Sequence, residues 1–482
     1  MYLGIDLGTS GVKALIIDDD QSIVASAVAD LAVSRPAAGW SEQDPADWIT
    51  ATKSAIGKLR AKKPAELADV KGIGLSGQMH GATLLDRADR VLRPCILWND
   101  TRAHAEAAAL DADPRFRALS GNIVFPGFTA PKLVWVKDNE PDIFSKTAKV
   151  LLPKDYLRLW LTGEFVSEMS DASGTSWLDV GERSWSSELL AASDMEPRQM
   201  PRLVEGSQVS GGLRATLANE LGMEPGTVVA GGAGDNAATA IGMGTVGEGA
   251  AFVSLGTSGV LFAANNAYRP NPESAVHTFC HAVPDSWHQM GVILSATDTL
   301  NWFAVITSQS AAALTAELGD ALHAPQGVFL PYLSGERTPH NDAGIRGVLT
   351  GISHTTDRAA ITASILQGIA FAFRDSLEAL GAAGTSVDRL LASGGGSRSV
   401  YWLRAIATAL NKPVDIPAAG DVGAAFGAAR LGMLAAGEAS LSACTPPDID
   451  QTIEPDVELR SAFEDAYQLY RKTYPAIRST MS

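Results

Sequence analysis

The chain has 482 residues, enough for two or three domains, and its 46% hydrophobic and 19% charged residues lie in the ordinary globular range, which excludes a disordered chain. With 38 Lys and Arg against 54 Asp and Glu, the formal charge of −16 repels polyanions, so neither nucleic acid nor an anionic membrane surface is an expected partner. A local cluster of backbone amides can still hold a small phosphate, because net charge does not describe one pocket.

Cys95, Cys280 and Cys444 have no paired spacing, which points to a reducing compartment. Met1 to Asp6 carries no basic stretch before an apolar core, and no uncharged run of about 18 apolar residues occurs, so a cytoplasmic protein with neither signal peptide nor membrane span is expected. The first apolar runs, 2–5 and 12–17, flank Asp6-Leu7-Gly8-Thr9-Ser10-Gly11 and predict a β-hairpin. Asp6 ends the first strand, the glycines let backbone amides approach a phosphate, and Lys13 adds positive charge. A plain turn needing glycine for positive φ is the alternative.

A helix is predicted over 45–59, with Pro45 in its first turn, and a strand over 70–76. The polar clusters Ser76-Gly77-Gln78-Met79-His80-Gly81 and Trp98-Asn99-Asp100-Thr101-Arg102 follow apolar strands and can hydrogen-bond a polyhydroxylated ligand, although each also reads as an ordinary loop with packed Trp98 and a structural His80. The stretch 120–208, rich in Trp and Pro, has no counterpart later and elaborates the first half. Val228-Val229-Ala230 leads into Gly231-Gly232-Ala233-Gly234-Asp235-Asn236, which presents one acid in a tight loop. Asp235 is the candidate base to take a proton from an attacking hydroxyl; its alternative is a cap on a helix over 236–243.

Leu255-Gly256-Thr257-Ser258-Gly259-Val260 then repeats Leu7 to Val12 letter for letter, 248 residues on, which implies a duplicated lobe with its own hairpin. Alternating helices and strands after each copy favour α/β lobes with mixed sheets. The expected boundary is near residue 246, giving lobes 1–246 and 247–482, with the hinge in the Gly- and Ala-dense stretch 231–249. Two matched turns can clasp a polyphosphate between them. Only the first carries an acid, Ser254 standing where Asp6 does, and that asymmetry suits one Mg²⁺ held on one side.

His277, Cys280, His281 and His288 invite a metal reading, which is set aside because four well-spaced ligands are missing and Val276 with Phe279 suggests a buried strand. Helices over 358–380 and 399–410 bracket a buried strand over 389–392 and the turn Gly394-Gly395-Gly396. Strand, glycine turn and helix suit a nucleotide at a helix N-terminus, but neither a P-loop nor a dinucleotide fingerprint is present. The Ala- and Gly-rich stretch 421–434 is expected to pack within the chain, a homodimer being left open, and 459–474 to form an amphipathic helix.

Taken together, these residues resemble the FGGY family of sugar and glycerol kinases over essentially the whole chain. The likeness runs through Gly4-Ile5-Asp6-Leu7-Gly8-Thr9-Ser10, Trp40-Ser41-Glu42-Gln43-Asp44-Pro45, Pro126-Gly127-Phe128-Thr129-Ala130-Pro131-Lys132, Leu152-Pro153-Lys154-Asp155-Tyr156, Gly234-Asp235-Asn236 and Phe329-Leu330-Pro331-Tyr332-Leu333-Ser334-Gly335-Glu336-Arg337-Thr338-Pro339. Met79-His80 and Trp98-Asn99-Asp100 are similar to the xylulose-specific members, in contrast to the Arg-Glu pair of glycerol kinases.

The resemblance implies two actin-like, ribonuclease-H-like lobes with ATP and sugar meeting in the cleft. It implies Asp235 as catalytic base, Asp6 and Asp235 toward Mg²⁺, and Met79, His80, Trp98, Asp235 and Asn236 around the ketose. Thr9, Ser10, Lys13, Gly256, Thr257, Gly395 and Ser399 match positions around the nucleotide, and the remaining adenine contacts stay open. The implied reaction is ATP-dependent phosphorylation of D-xylulose to D-xylulose 5-phosphate in pentose catabolism. Action on ribulose, gluconate or glycerol, and a non-catalytic actin-like nucleotide-binding protein, are the alternatives. Ala233 departs from the family's uninterrupted glycine run, which bears on loop flexibility but not on the acid.

Overall fold

Apolar alternation builds the predicted first hairpin: Tyr2–Leu7 (β1) pairs antiparallel with Gly11–Ile17 (β2), setting Asp6 opposite Lys13. Ile23–Asp30 (β3) adds to β2. Pro45–Lys62 (α1) starts where Asp44 accepts a bond from the Ala46 amide and Pro45 occupies the first turn, and it buries Trp48, Ala55, Ile56 and Leu59. The chain returns as Gly72–Gly77 (β4), parallel to β1. Val209–Gly212 (β5), Val228–Ala230 (β6) and Ala233–Gly234 (β7) complete a sheet of order β5-β6-β4-β1-β2-β3, with β7 paired to β4. The structure is a computed structural model and describes residues 1–418 and 422–481.

The second sheet repeats this plan. Ala251–Leu255 (β8), Gly259–Asn265 (β9), His277–Cys280 (β10), Trp287–Ile293 (β11), Leu390–Ser393 (β12), Val414–Pro417 (β13) and Ile449–Ile453 (β14) run in the order β10-β11-β9-β8-β12-β13-β14. Each lobe thus has three antiparallel strands (β3-β2-β1, β11-β9-β8) followed by two parallel ones (β4-β6, β12-β13). The fold is the duplicated actin-like, ribonuclease-H-like pair of lobes. Each sheet carries its own core, around Leu3, Ile5, Ile16, Trp48 and Leu75 in the first and Val253, Leu261, Ile365, Phe371 and Trp402 in the second.

The identical hexapeptides do not turn identically. Leu7 pairs with Val12 across four residues, whereas Leu255 pairs with Gly259 across three. Gly11 lies against Ala29 of β3 and Gly259 against Ile293 and Phe373, so the identical turns sit in different tertiary surroundings.

Among the helices, Pro153–Thr162 (α2) belongs to the 120–208 elaboration, whose short helices and two-stranded sheets surround a separate core of Leu133, Val136, Trp177 and Leu189. Asp235–Gly242 (α3) follows β7 directly. Arg358–Ala382 (α4), Val400–Leu410 (α5) and Arg460–Met481 (α7) cover the second sheet. The last runs beyond the expected 474 through Pro475, as Phe463, Tyr467, Tyr470 and Tyr474 anchor it to the core.

Ala424–Ala435 (α6) lies instead against the first lobe, on β1, β4 and α3. Its approach is at backbone contact: a Cβ on Gly74 would stand 1.7 Å from the Ala428 carbonyl oxygen, and one on Gly427 would stand 1.8 Å from that of Ala238 in α3. The stretch 421–434 therefore packs within the chain, Asp421 itself lying outside the described residues.

Candidate active site

Strands β1, β4 and β7 end side by side, with Asp6 in register with Ser76 and Gly77 with Gly234. Three chain segments therefore leave one sheet edge together: Asp6 with its turn, the Gln78-Met79-His80 turn, and Asp235. Burial raises the pKa of Asp6, opposed by the charge of Lys13, and Asp6 Oδ1 is buried with no hydrogen-bond partner. Asp235 is the first residue of α3, and Gly234 rather than Asp235 occupies the cap position. Its Oδ1 accepts from the Asn236 amide (2.7 Å) and from Asn236 Nδ2 (3.0 Å). Burial, and then the nearby Asp6 charge, push Asp235 up to about 6.

His80 adopts φ 69°, and its carbonyl accepts from Thr129 Oγ1 (3.1 Å) and Lys132 Nζ (2.8 Å). Its ring stacks on Phe128 at 4.6 Å, and Nδ1 lies 2.7 Å from the Gly174 carbonyl. A carbonyl only accepts, so Nδ1 carries the proton and Nε2 is left with a lone pair. Burial pushes the His80 pKa down to about 3, keeping the ring neutral. Gly174 is required here: a Cβ would meet His80 Cε1 at 2.3 Å. Met79 is buried between Gly174 and Gly234. Trp98, in contrast, is 47% exposed, and its indole N–H donates to Thr9 Oγ1 at 3.0 Å.

The structure brings Asp6, Lys13, Met79, His80, Asp235 and Asn236 to one side of the first lobe, together with the Thr9–Trp98 pair. Ser10 is exposed on the first turn and Thr257 on the second. In the second lobe, the Gly256 carbonyl accepts from Thr297 through N (2.9 Å) and Oγ1 (2.7 Å), which ties the turn to a neighbouring helix. Gly395 and Ser399 both line a cavity of about 430 Å³ with Leu300, Asn301, Thr315 and Trp402. Ser399 also caps α5, accepting from the Trp402 amide at 3.3 Å. The last four lining residues had no signal in the sequence, since they come from helix faces that only the tertiary fold brings to the glycine turn. His277 lies in β10 as expected for a strand, and its Nε2 faces Arg337 Nη1 at 3.2 Å.

A fully buried ionic cluster underlies the acid loop. Lys154 lies 2.8, 3.3 and 3.2 Å from Asp155, Glu168 and Asp171, and Arg158 lies 2.5 Å from Asp155. Burial works against the Lys154 ammonium, but its three carboxylate neighbours hold it above its ordinary pKa. Arg158 also donates to the Gly231 carbonyl, and Ser170 Oγ accepts from the Gly234 amide at 3.1 Å, so the cluster grips both ends of the loop before Asp235.

The two lobes that carry these features match known protein domains. The N-terminal domain of the FGGY family of carbohydrate kinases matches residues 1–242, and its C-terminal domain matches 251–436. The chain belongs to the FGGY family of carbohydrate kinases. Among similar FGGY proteins, the xylulose kinase of Escherichia coli K12 is 47% identical over 487 aligned residues covering 100% of both chains. A crystal structure described as a "xyloylose kinase" from Brucella ovis is 64% identical, covers 99% of each chain and superposes with a TM-score of 0.98. The xylulose kinase of Rhodospirillum rubrum is 27% identical, with 100% of this chain and 99% of that one covered, at a TM-score of 0.93. As an FGGY kinase the chain acts on a sugar with ATP and Mg²⁺. Among its described residues, no helix is long and apolar enough to cross a membrane.

Proposed function

We propose that this FGGY kinase transfers the γ-phosphoryl group of ATP to the 5-hydroxyl of D-xylulose, with Asp235 as the base. The observation that carries the reading is the convergence of Asp235, Asp6 and the Met79–His80 turn at one sheet edge, in a chain 47% identical to a xylulose kinase. Asp235 Oδ1 is occupied by Asn236, so Oδ2 takes the proton. With a pKa near 6 the carboxylate is largely ionised at neutral pH yet basic enough to help. The sugar oxygen bonds to the γ-phosphorus as the bond from phosphorus to the β,γ-bridging oxygen breaks, and ADP leaves.

Two buried acids, the charge of Asp6 raising the pKa of Asp235 and Asp6 carrying an orphaned buried oxygen, fit a divalent cation. Asp6 and Asp235 would hold Mg²⁺, which supplies charge neutralisation for the phosphates. His80 Nε2, as an acceptor, and Asn236 orient the sugar hydroxyls, while Met79 closes the apolar side. Gly256, Thr257, Gly395 and Ser399 meet the nucleotide from the second lobe, and Ser10 and Lys13 from the first. The boundary falls near residue 246, between α3 and β8. Three buried, unpaired cysteines support a cytoplasmic location.

An ADP-release assay across xylulose, ribulose, gluconate and glycerol tests the reading, with xylulose expected to give the highest kcat/KM. A higher value for another compound reassigns the substrate, and the absence of sugar-stimulated release makes the chain a nucleotide-binding protein. Asp235→Asn is expected to lower kcat by about two to four powers of ten with sugar affinity little changed. Near-normal turnover of that variant would remove Asp235 from the chemistry.

A further inference from the structure

Around Thr9 the first lobe closes a ring of hydrogen bonds whose every direction is set by its partners. The Trp98 indole N–H can only donate, and it donates to Thr9 Oγ1 at 3.0 Å. The single hydroxyl proton of Thr9 points at Gln78 Oε1, also at 3.0 Å. Gln78 Nε2 donates to Gln43 Oε1 at 2.9 Å, and that oxygen receives the Trp48 indole N–H at 3.0 Å as well. Gln43 Nε2 returns to the ring by donating to the Thr9 carbonyl (2.8 Å) and to the Ala32 carbonyl (3.1 Å). Carbonyls accept and indoles donate, so neither glutamine amide can be turned over.

The ring is buried where it is anchored and open where it ends. Gln43, Gln78 and Trp48 are 3%, 2% and 0% exposed, and loss of the Thr9–Gln78 bond leaves the buried Gln78 oxygen unpaired. At its open end, Trp98 is held through one N–H. A phosphate oxygen needs a donor, and the only proton of the Thr9 hydroxyl is already committed to Gln78.

We propose that Thr9 is a positioning residue for the sugar half-site: backed by Gln78 and Gln43, its hydroxyl fixes the orientation of the Trp98 indole beside the sugar and does not bind phosphate. This rests on the reading that Trp98 lines the sugar site. It moves the Thr9 side chain from the nucleotide to the sugar and leaves the phosphate contacts of that turn to backbone amides.

Steady-state kinetics of Thr9→Val, Thr9→Ser, Trp98→Phe and the Thr9→Val/Trp98→Phe double variant test it. Valine keeps the shape and removes both bonds, so KM for xylulose is expected to rise about tenfold while KM for ATP stays within about twofold. Serine keeps the hydroxyl and is expected to stay near wild type. Phenylalanine at the exposed position 98 removes only the donor from an aromatic face; it does not threaten folding, and it should reproduce the valine result. The double variant should be no worse than the worse single variant, since both single changes cut the same Trp98–Thr9 bond. The proposal is overturned if Thr9→Val raises KM for ATP and spares the sugar, or if the two effects multiply. Wild-type turnover across the sugar panel is measured first: if another sugar is preferred, the same variants are compared on that sugar, and the same KM pattern decides the role of Thr9.

Discussion

His80 shows how much of this site is held by groups that touch no substrate. Its backbone is in the left-handed region, and the strain is met by two donors on its carbonyl, one of them the ammonium of Lys132, which is fully buried and also donates to Gly127 (2.7 Å). Burial pushes the Lys132 pKa down to about 7. Outside the site, Asp375 in α4 offers a cleaner test of buried charge, for it accepts from Tyr467 Oη at 2.6 Å and burial pushes it up to about 6. The folded state thus binds this proton more tightly than the unfolded chain. Stability from Asp375 is complete below the unfolded carboxyl value near pH 4 and is lost as pH rises through about 6, a loss on the order of 2–3 kcal/mol. Asp375→Asn keeps an acceptor for Tyr467 and cannot ionise. Chemical denaturation should show the variant gaining on wild type between about pH 4 and pH 7; a difference that stays flat would mean the group is not titrating as described.

At the scale of elements, the contact between α6 and the first lobe has the least room for change. Gly427 places its Cα against the Ala238 carbonyl in α3, the helix that begins with Asp235. Arg430 fastens the other end of α3 by donating to the Ile241 carbonyl (2.9 Å) and the Gly242 carbonyl (3.2 Å). Gly427→Ala should therefore separate two helices, costing about 1–3 kcal/mol in denaturant melts. It should also lower kcat, because the Asp235 helix moves with the contact. An unchanged melting midpoint with full activity would show that the interface yields freely. The sequence made the lobes legible through the repeated hexapeptide, and it made Asp6, Asp235 and the Met79–His80 turn legible because each is a polar group ending an apolar strand. It concealed the one-residue register difference between the two hairpins, since the hexapeptides are identical and what differs is their tertiary surroundings, Gly11 lying against Ala29 and Gly259 against Ile293 and Phe373. Leu300, Asn301 and Thr315 were hidden for the same reason, as their chemistry is ordinary until the fold sets them beside Gly395.

Across the whole molecule, Asp235, the proposed base, and the cavity beside Gly395, proposed for the nucleotide, belong to different lobes, and on that proposal transfer requires the γ-phosphorus to come within bonding reach of a hydroxyl held by the first. The lobes share an apolar cluster in which Met79, Ile123, Phe125 and Phe128 of the first meet Phe252, Phe262, Phe279 and Met290 of the second. With that shared cluster and the α6 contact as a pivot, motion of one lobe against the other is expected to be a rotation rather than a separation. A sugar seated against Met79 and His80 adds contacts beside this cluster and should favour the approached state. Closure then excludes water, which would otherwise accept the phosphoryl group. Small-angle scattering should give a radius of gyration that falls on the order of 1 Å, from roughly 23 Å for a chain this long, when sugar and a non-hydrolysable ATP analogue are both saturating. Either ligand alone should produce less of the change, and ATP hydrolysis without sugar should be slow compared with phosphorylation. Equal radii in all four states, together with brisk sugar-independent hydrolysis, would show that the two half-sites already stand in reacting position and that no closure guards the phosphoryl group from water.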